Sequence, residues 1–408
     1  MKKKFSRLLL IFSIVGPGLI TANAGNDAGG VTTYSVIGSK YGYSMLWGLL
    51  AIGIGLAVVQ EMNARMAVVT GKGLSDLIRE RYGVKLAFFA MTVLLIANLG
   101  VCIADFAGIA ASLQLFNINK YISVPILAIM IWVIMTKGNY SKAEKVFLLL
   151  TLTFFGYVIT AFMVKPNWSN VTSHIFNPRG SLNKGYWLDL IGMVGTTITP
   201  YMQFYLQSSI VDKGISLKEY GYEKLDVYLG TIWGIATALF ITICTSETLF
   251  KAHMSISSAQ DAASALKPLA GQYSFILFGI GLFGASFLAC CIIPLSTSYA
   301  VCEAFGFESG LDNKIKEAPV FFGLFFFMII TSVIIVLLPN LSLISIILFT
   351  QQMAGVLCPV VLIFMIKLVN DKEIMGRHTN NKFQNFIAKF TVGLIIILTV
   401  LAFVGNFM

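Results

Sequence analysis

Two carboxylates stand where this chain is otherwise apolar. Asp27 lies among glycines and asparagines in "GLITANAGNDAGGVTTYS" (residues 18–35), and Asp105 lies in "GVCIADFAGIAASLQLF". An ionised side chain midway along a membrane-spanning run costs about 2.5–3.5 kcal/mol even on lenient insertion scales, so each needs a pairing or functional reason. Asp27 has few side chains at hand to satisfy it, which points to an ion or water. The glycines and asparagines around it weaken a helix, and unwound backbone exposes carbonyls. Carboxylate, carbonyl, hydroxyl and amide oxygens together suit a divalent metal ion. Asp105 admits two readings: a buried partner of hydroxyls or water, or a group on a proton or ion pathway. The other acids near apolar runs, Glu61, Asp189, Asp226 and Glu247, sit toward run ends, and no lysine or arginine lies near the centre of any run. Such a cavity attracts a cation and repels an anion.

Other chemistries lack their residues. His174, His253 and His378 fall in predicted loops, which leaves no intramembrane relay or zinc site. Cys102, Cys244, Cys290, Cys291, Cys302 and Cys358 all fall in apolar runs, without the spacing of a disulfide framework or zinc site, and read as packing residues. No histidine-glutamate zinc motif or nucleophile with a neighbouring base is present, which argues against a membrane-embedded enzyme.

The elements that must position the carboxylates follow from composition. The 408 residues are 57% hydrophobic and 12% charged, against about 25% charged in soluble domains. Eleven apolar runs are long enough to be read as spans: 15–35, 45–68, 86–115, 121–136, 146–164, 187–210, 228–249, 273–302, 319–338, 342–366 and 387–405. The first continues directly from "MKKKFSRLLLIFSIVGPGLI" without a small-residue cleavage site, so it reads as a retained helix. With the N terminus inside, most of the 29 lysines and arginines fall in inner segments. The expected orientation is therefore N terminus cytoplasmic and C terminus outside. The same bias accounts for the net charge of +10 without a nucleic-acid partner. The lipid bilayer is the expected surrounding, and the function belongs among the helices.

Runs 1 and 6 are interrupted. Run 1 carries Gly16, Pro17, Gly18 and then "NAGNDAGG"; run 6 carries Pro200 among threonines in "GMVGTTITPYMQFYLQSS". Glycine and proline also serve packing and kinks in membrane helices. Here, however, the breaks occupy the first places of two sets of five runs, with a carboxylate in one. Paired breaks at corresponding positions of inverted repeats point to a substrate site near the midplane of a secondary transporter. The expected organisation is one transporter domain over 1–408, with repeat 1 at about 8–164, repeat 2 at about 186–367 and an extra helix at about 387–405.

These motifs resemble the Nramp family of divalent metal transporters. The family pattern sets a glycine-proline-glycine eight residues before an Asp-Pro-Gly-Asn tetrad, and Gly16 to Gly18 stand at that spacing from Asp27. "TGKGLSDLIRERYG" (70–83) is similar to the loop after helix 2, "IADFAGIAASLQLF" to helix 3, "YLQSSIV" (205–211) to the end of helix 6, and "DKEIMG" (371–376) to the loop after helix 10. The resemblance spans nearly the whole chain. It implies an all-α polytopic fold of the leucine-transporter type, five plus five inverted helices and one more, with helices 1 and 6 broken.

Carried over by position, the resemblance makes Asp27 the metal-binding aspartate and Ala24 the helix 1 carbonyl donor. The tetrad reads Asp27, Ala28, Gly29, Gly30, so Gly30 replaces a ligand asparagine. Thr196 falls where helix 6 lends a carbonyl, and Thr199 where the family has methionine. Met202 is the sulfur that could replace it, with one extra residue before "FYLQSS". Gln351 matches a polar helix 10 position near the metal, whereas the family's second glutamine is Leu357. Gln207 stands for the helix 6 histidine, and Asn98 and Gly108 for two helix 3 acids, which leaves Asp105 as the titratable group there.

The expected function is movement of divalent metal ions, manganese or iron first, by alternating access in the cell membrane. The metal is substrate, and no cofactor is expected. Two further readings remain: a magnesium-type or broad divalent carrier of the same family, because a soft thioether favours transition metals and Thr199 lacks one; and an amino-acid or amine carrier on the same fold. Proton coupling, through Asp27 and Asp105, and uncoupled transport both remain open, as does the oligomeric state.

Overall fold

The computed structural model describes residues 25–137, 152–178, 183–311 and 313–404. Fourteen helices carry the argument: α1 (Ala28–Tyr41), α2 (Leu46–Thr70), α3 (Leu74–Gln114), α4 (Lys120–Lys137), α5 (Phe155–Met163), α6 (Trp168–Phe176), α7 (Lys184–Thr197), α8 (Pro200–Asp212), α9 (Tyr220–Thr245), α10 (Ala259–Ser264), α11 (Ser274–Phe305), α12 (Pro319–Leu337), α13 (Leu343–Val369) and α14 (Lys382–Val404). No strand occurs among the described residues.

Seven of the described helices are long and apolar enough to cross a membrane. The other four expected runs differ for visible reasons. Run 6 is broken, so α7 and α8 are half-length, and the described part of run 1 is non-helical over residues 25–27 and then forms α1. Run 4 forms the shorter apolar helix α4, and the first part of run 5 lies outside the described residues, as do Gly16, Pro17, Gly18 and Ala24. One expectation needs amendment. Residues 74–82, read as part of a loop, are helical and run into the third span, with the direction changing at Gly83 (φ 77°).

Both breaks have local causes. At the first, Asp27 is extended (φ −71°, ψ −168°) and caps α1. At the second, Ile198 leaves helical geometry (φ −113°, ψ 62°) and Thr199 is extended. Pro200 then occupies the first turn of α8, where its missing N–H costs no helical bond.

Long α3 is the axis of the bundle, packing on α11, α13, α12 and α8, while α1 packs on α9, α13 and α7. Small residues allow the closest approaches, as in other membrane helix pairs. A Cβ on Gly38 of α1 would lie 2.0 Å from Thr245 Oγ1, and one on Gly108 of α3 2.3 Å from Ala28 Cβ.

The acids near run ends have structural partners. Asp189 accepts from Lys40 Nζ and Tyr41 OH, both at 2.8 Å. Glu247 is bonded by Tyr43 and Lys251. Glu61 is buried with Arg65 at 3.3 Å, receives Gln384 Nε2 at 2.9 Å and the Tyr220 hydroxyl, and so ties α2 to α9 and α14. Arg65→Ala strips this buried carboxylate of its charge partner and is expected to cost about 3–5 kcal/mol. Thermal unfolding in detergent checks it, with Glu61→Gln added to recover part of the loss.

Candidate metal centre

Three consecutive residues at the start of α1 each face a polar group from another part of the bundle. The Ala28 amide donates to Asp105 Oδ1 of α3 at 3.2 Å. Gly29 lies under the side-chain amide of Gln351 from α13: a Cβ there would sit 2.2 Å from Nε2 and 3.0 Å from Oε1. Gly30 faces Thr196 of α7, whose Oγ1 lies 3.4 Å from the position of a Cβ, and its amide donates to Asp27 Oδ1 at 2.8 Å. Both carboxylates therefore meet at one helix N-terminus, where free amides favour negative charge.

The shell is incompletely paired. Asp105 Oδ2, Thr196 Oγ1 and both amide atoms of Gln351 are buried without a hydrogen-bond partner. Buried polar atoms are nearly always satisfied, and exceptions mark a strained site or an ion or water. Beside them is a cavity of about 20 Å³, lined by Gly25, Asn26, Tyr34, Gln60, Thr197 and Met202 among others. That is room for about one water-sized occupant. Among the described residues no group of three or more His, Cys, Asp or Glu could hold a metal. Any ion here must rest mainly on neutral oxygens and one sulfur beside the two acids.

The residues singled out in the sequence divide as follows. Asp27, Gly30, Thr196, Gln351 and Asp105 come together around the first turn of α1, and Met202 lines the adjacent cavity. Asp27 is not without protein partners, as its glycine neighbours suggested: as an N-cap it is satisfied by the first-turn backbone. Thr199 turns its hydroxyl onto the Thr196 carbonyl at 3.1 Å, one bond to the oxygen expected of helix 6. Ala24 lies outside the described residues. Gln207 is elsewhere, donating to the Lys72 carbonyl at 2.9 Å. Asn98 donates to Thr297 Oγ1 at 2.8 Å.

Several residues escaped the sequence reading. Tyr34 and Thr197 share a hydrogen bond of 2.8 Å across the two broken helices; Tyr34 follows Asp27 by seven residues, two helical turns, and so was within reach of a periodicity argument. Tyr201 is fully buried within electrostatic reach of Asp27 and Asp105. Cys358 of α13 donates to the Ile198 carbonyl at 3.1 Å. Glu223 is buried with neither carboxylate oxygen hydrogen-bonded. Nothing local distinguishes the last three.

Residues 18–405 match the family profile described as natural resistance-associated macrophage protein-like. The chain belongs to the Nramp family. A curated relative, the divalent metal cation transporter MntH of Erwinia tasmaniensis, is 25% identical over 303 residues, covering 72% of this chain and 73% of that one. Among solved structures, the manganese transporter of Eremococcus coleocola, in complex with an aromatic bis-isothiourea compound, superposes with a TM-score of 0.75 at 18% identity, over 98% of this chain and 87% of that one. Mhp1 in an inward-facing conformation superposes at 0.58 and 13% identity, over 96% and 91%. These likenesses establish the leucine-transporter-type fold. As an Nramp member the chain is an integral multi-pass membrane transporter and not an enzyme.

Proposed function

We propose that this Nramp chain carries divalent metal ions, manganese and iron first, inward across the cell membrane by alternating access. The observation that carries the reading is the set of unpaired polar atoms over Ala28, Gly29 and Gly30, beside capping Asp27. The relatives named as divalent metal and manganese transporters support the same substrate class. Met202 at the cavity favours a transition metal, since thioether sulfur is soft. The magnesium-type alternative draws on Thr199, whose hydroxyl is committed to its own backbone. An amino-acid carrier would need amide donors for the substrate carboxylate, whereas three of the four unpaired atoms around the first turn are oxygens.

The proposal includes two inverted repeats and an eleventh helix, with the N terminus cytoplasmic and the C terminus outside. Coupling follows from the pairing of acids: Asp105 is the group that exchanges protons with Asp27, because it holds the Ala28 amide through one oxygen and leaves the other free. The test is manganese uptake into proteoliposomes with a luminal pH dye. Acidification is expected alongside uptake. Asp105→Asn keeps an oxygen for Ala28, so manganese affinity stays within about threefold while proton movement disappears. Uptake without acidification by the parent protein establishes uncoupled transport instead, and absence of manganese, iron, magnesium and calcium binding defeats the metal reading altogether.

A further inference from the structure

Three of the six cysteines meet where α3 packs on α11. Cys102 of α3 and Cys290 and Cys291 of α11 are free thiols, all buried. The two helices run antiparallel. Gly108 lies on Ser286, where a Cβ would be 2.5 Å from Oγ, and Asn98 Nδ2 donates to Thr297 Oγ1 at 2.8 Å. Cys102 falls between these contacts on one helix and Cys290 between them on the other. Their thiols are in hydrogen-bond contact, and Cys291 lies close to Cys102. Asn98, Cys102 and Asp105 follow at i, i+4 and i+7, along one face of α3. The outer two each keep a buried oxygen, Asn98 Oδ1 and Asp105 Oδ2, without a hydrogen-bond partner. Asp105 is within electrostatic reach of Cys102 and Cys290 alike.

Paired thiols can form a disulfide or hold a metal, and the surroundings separate the two. A disulfide needs a thiolate to attack. No cationic side chain acts on these thiols to stabilise one, and the negative charge of Asp105 opposes it. A metal ion, by contrast, removes the thiol proton outright on coordination. A divalent ion held by two thiolates is also neutral, so it brings no net charge into the membrane interior, where charge is costly.

We infer that Cys102 and Cys290 form a second metal site, a dithiol for soft divalent ions of the mercury type, whose occupation locks α3 to α11 and stops transport. A linear site needs only two ligands, and soft thiolates select such an ion over manganese. With mercuric chloride, two S–H bonds break and two sulfur–mercury bonds form, releasing two protons and two chlorides. Asp105 Oδ2 is placed to accept the first proton. The other carboxylate oxygen of Asp105 holds the Ala28 amide, so a bridge one turn away on α3 ties the start of α1 to α11.

Only the arrest of uptake rests on the metal-transport reading above; the dithiol is measured without it. One equivalent of mercuric chloride is added to the purified full-length protein, and X-ray absorption at the mercury edge identifies the neighbouring atoms. Two sulfurs and no chloride are expected in the parent and in Cys358→Ser, against one sulfur with chloride in Cys102→Ser and in Cys290→Ser. A single sulfur in the parent, or a pair that survives either of the last two substitutions, overturns the assignment. In proteoliposomes, mercuric chloride is expected to stop manganese uptake by the parent, and dithiothreitol to restore it. Cys102→Ser raises the mercury concentration required by about tenfold or more, at least the cost of losing an outer partner of a metal site. Equal sensitivity of parent and variant overturns the lock, whereas absence of uptake by the untreated parent counts against the transport reading alone.

Discussion

Asp27→Ala raises the dissociation constant for manganese by about 100-fold or more, and uptake falls to background. The side chain has two tasks. Its Oδ1 caps α1 by accepting the Gly30 amide at 2.8 Å, and its charge stands beside that of Asp105 at the turn. Alanine removes both, and the lost cap by itself costs about 1 kcal/mol of stability. Asp27→Asn separates them: its amide oxygen still accepts from Gly30, so thermal stability stays near the parent while manganese binding is lost. Titration calorimetry and thermal unfolding on the same two preparations check this. An asparagine variant that binds manganese as tightly as the parent would remove Asp27 from the site.

The breaks and the two central acids were legible because each is a local anomaly. A glycine-rich stretch, a mid-run proline and a charge in an apolar run need no knowledge of the partner. What the sequence concealed is relational. Asp105 reaches the Ala28 amide 77 residues away, so whether it was a structural partner or a pathway group could not be read locally. Gly30 looked like a missing ligand; in the fold it is the absence of a side chain that makes room for the Gly25 carbonyl. Thr199 stands where the family has methionine, and a short hydroxyl beside a helix end finds its nearest carbonyl three residues back. Gly108 similarly reads as a lost acid until Ala28 and Ser286 are seen against it. The helix over 74–82 was hidden by its polar composition, which suggests a loop once membrane spans set the standard of comparison.

Gly195→Val abolishes transport through a residue that touches no ion. A Cβ at this position would lie 2.0 Å from the Gln351 carbonyl oxygen and 2.4 Å from the Gly355 amide nitrogen, all backbone, and one on Gly355 would lie 2.3 Å from the Ile191 carbonyl. The backbones of α7 and α13 are thus in contact, and neither has a flexible side chain to yield. Gln351, Gly355 and Cys358 follow at helical spacing along α13, laid respectively on Gly29, on α7 and on the Ile198 carbonyl. Any added volume moves that whole face, lifting Gln351 from the first break and Cys358 from the second together. Overpacking ordinarily costs about 1–3 kcal/mol; here manganese binding and uptake are both lost as well. Gly323→Ala supplies the contrast, because nothing lies within 4 Å of its Cβ position in α12. That change is expected to leave transport intact and to stabilise by about 0.4–1 kcal/mol. A Gly195→Val protein that binds and carries manganese like the parent would mean that α13 need not hold α7 so closely for the site to form.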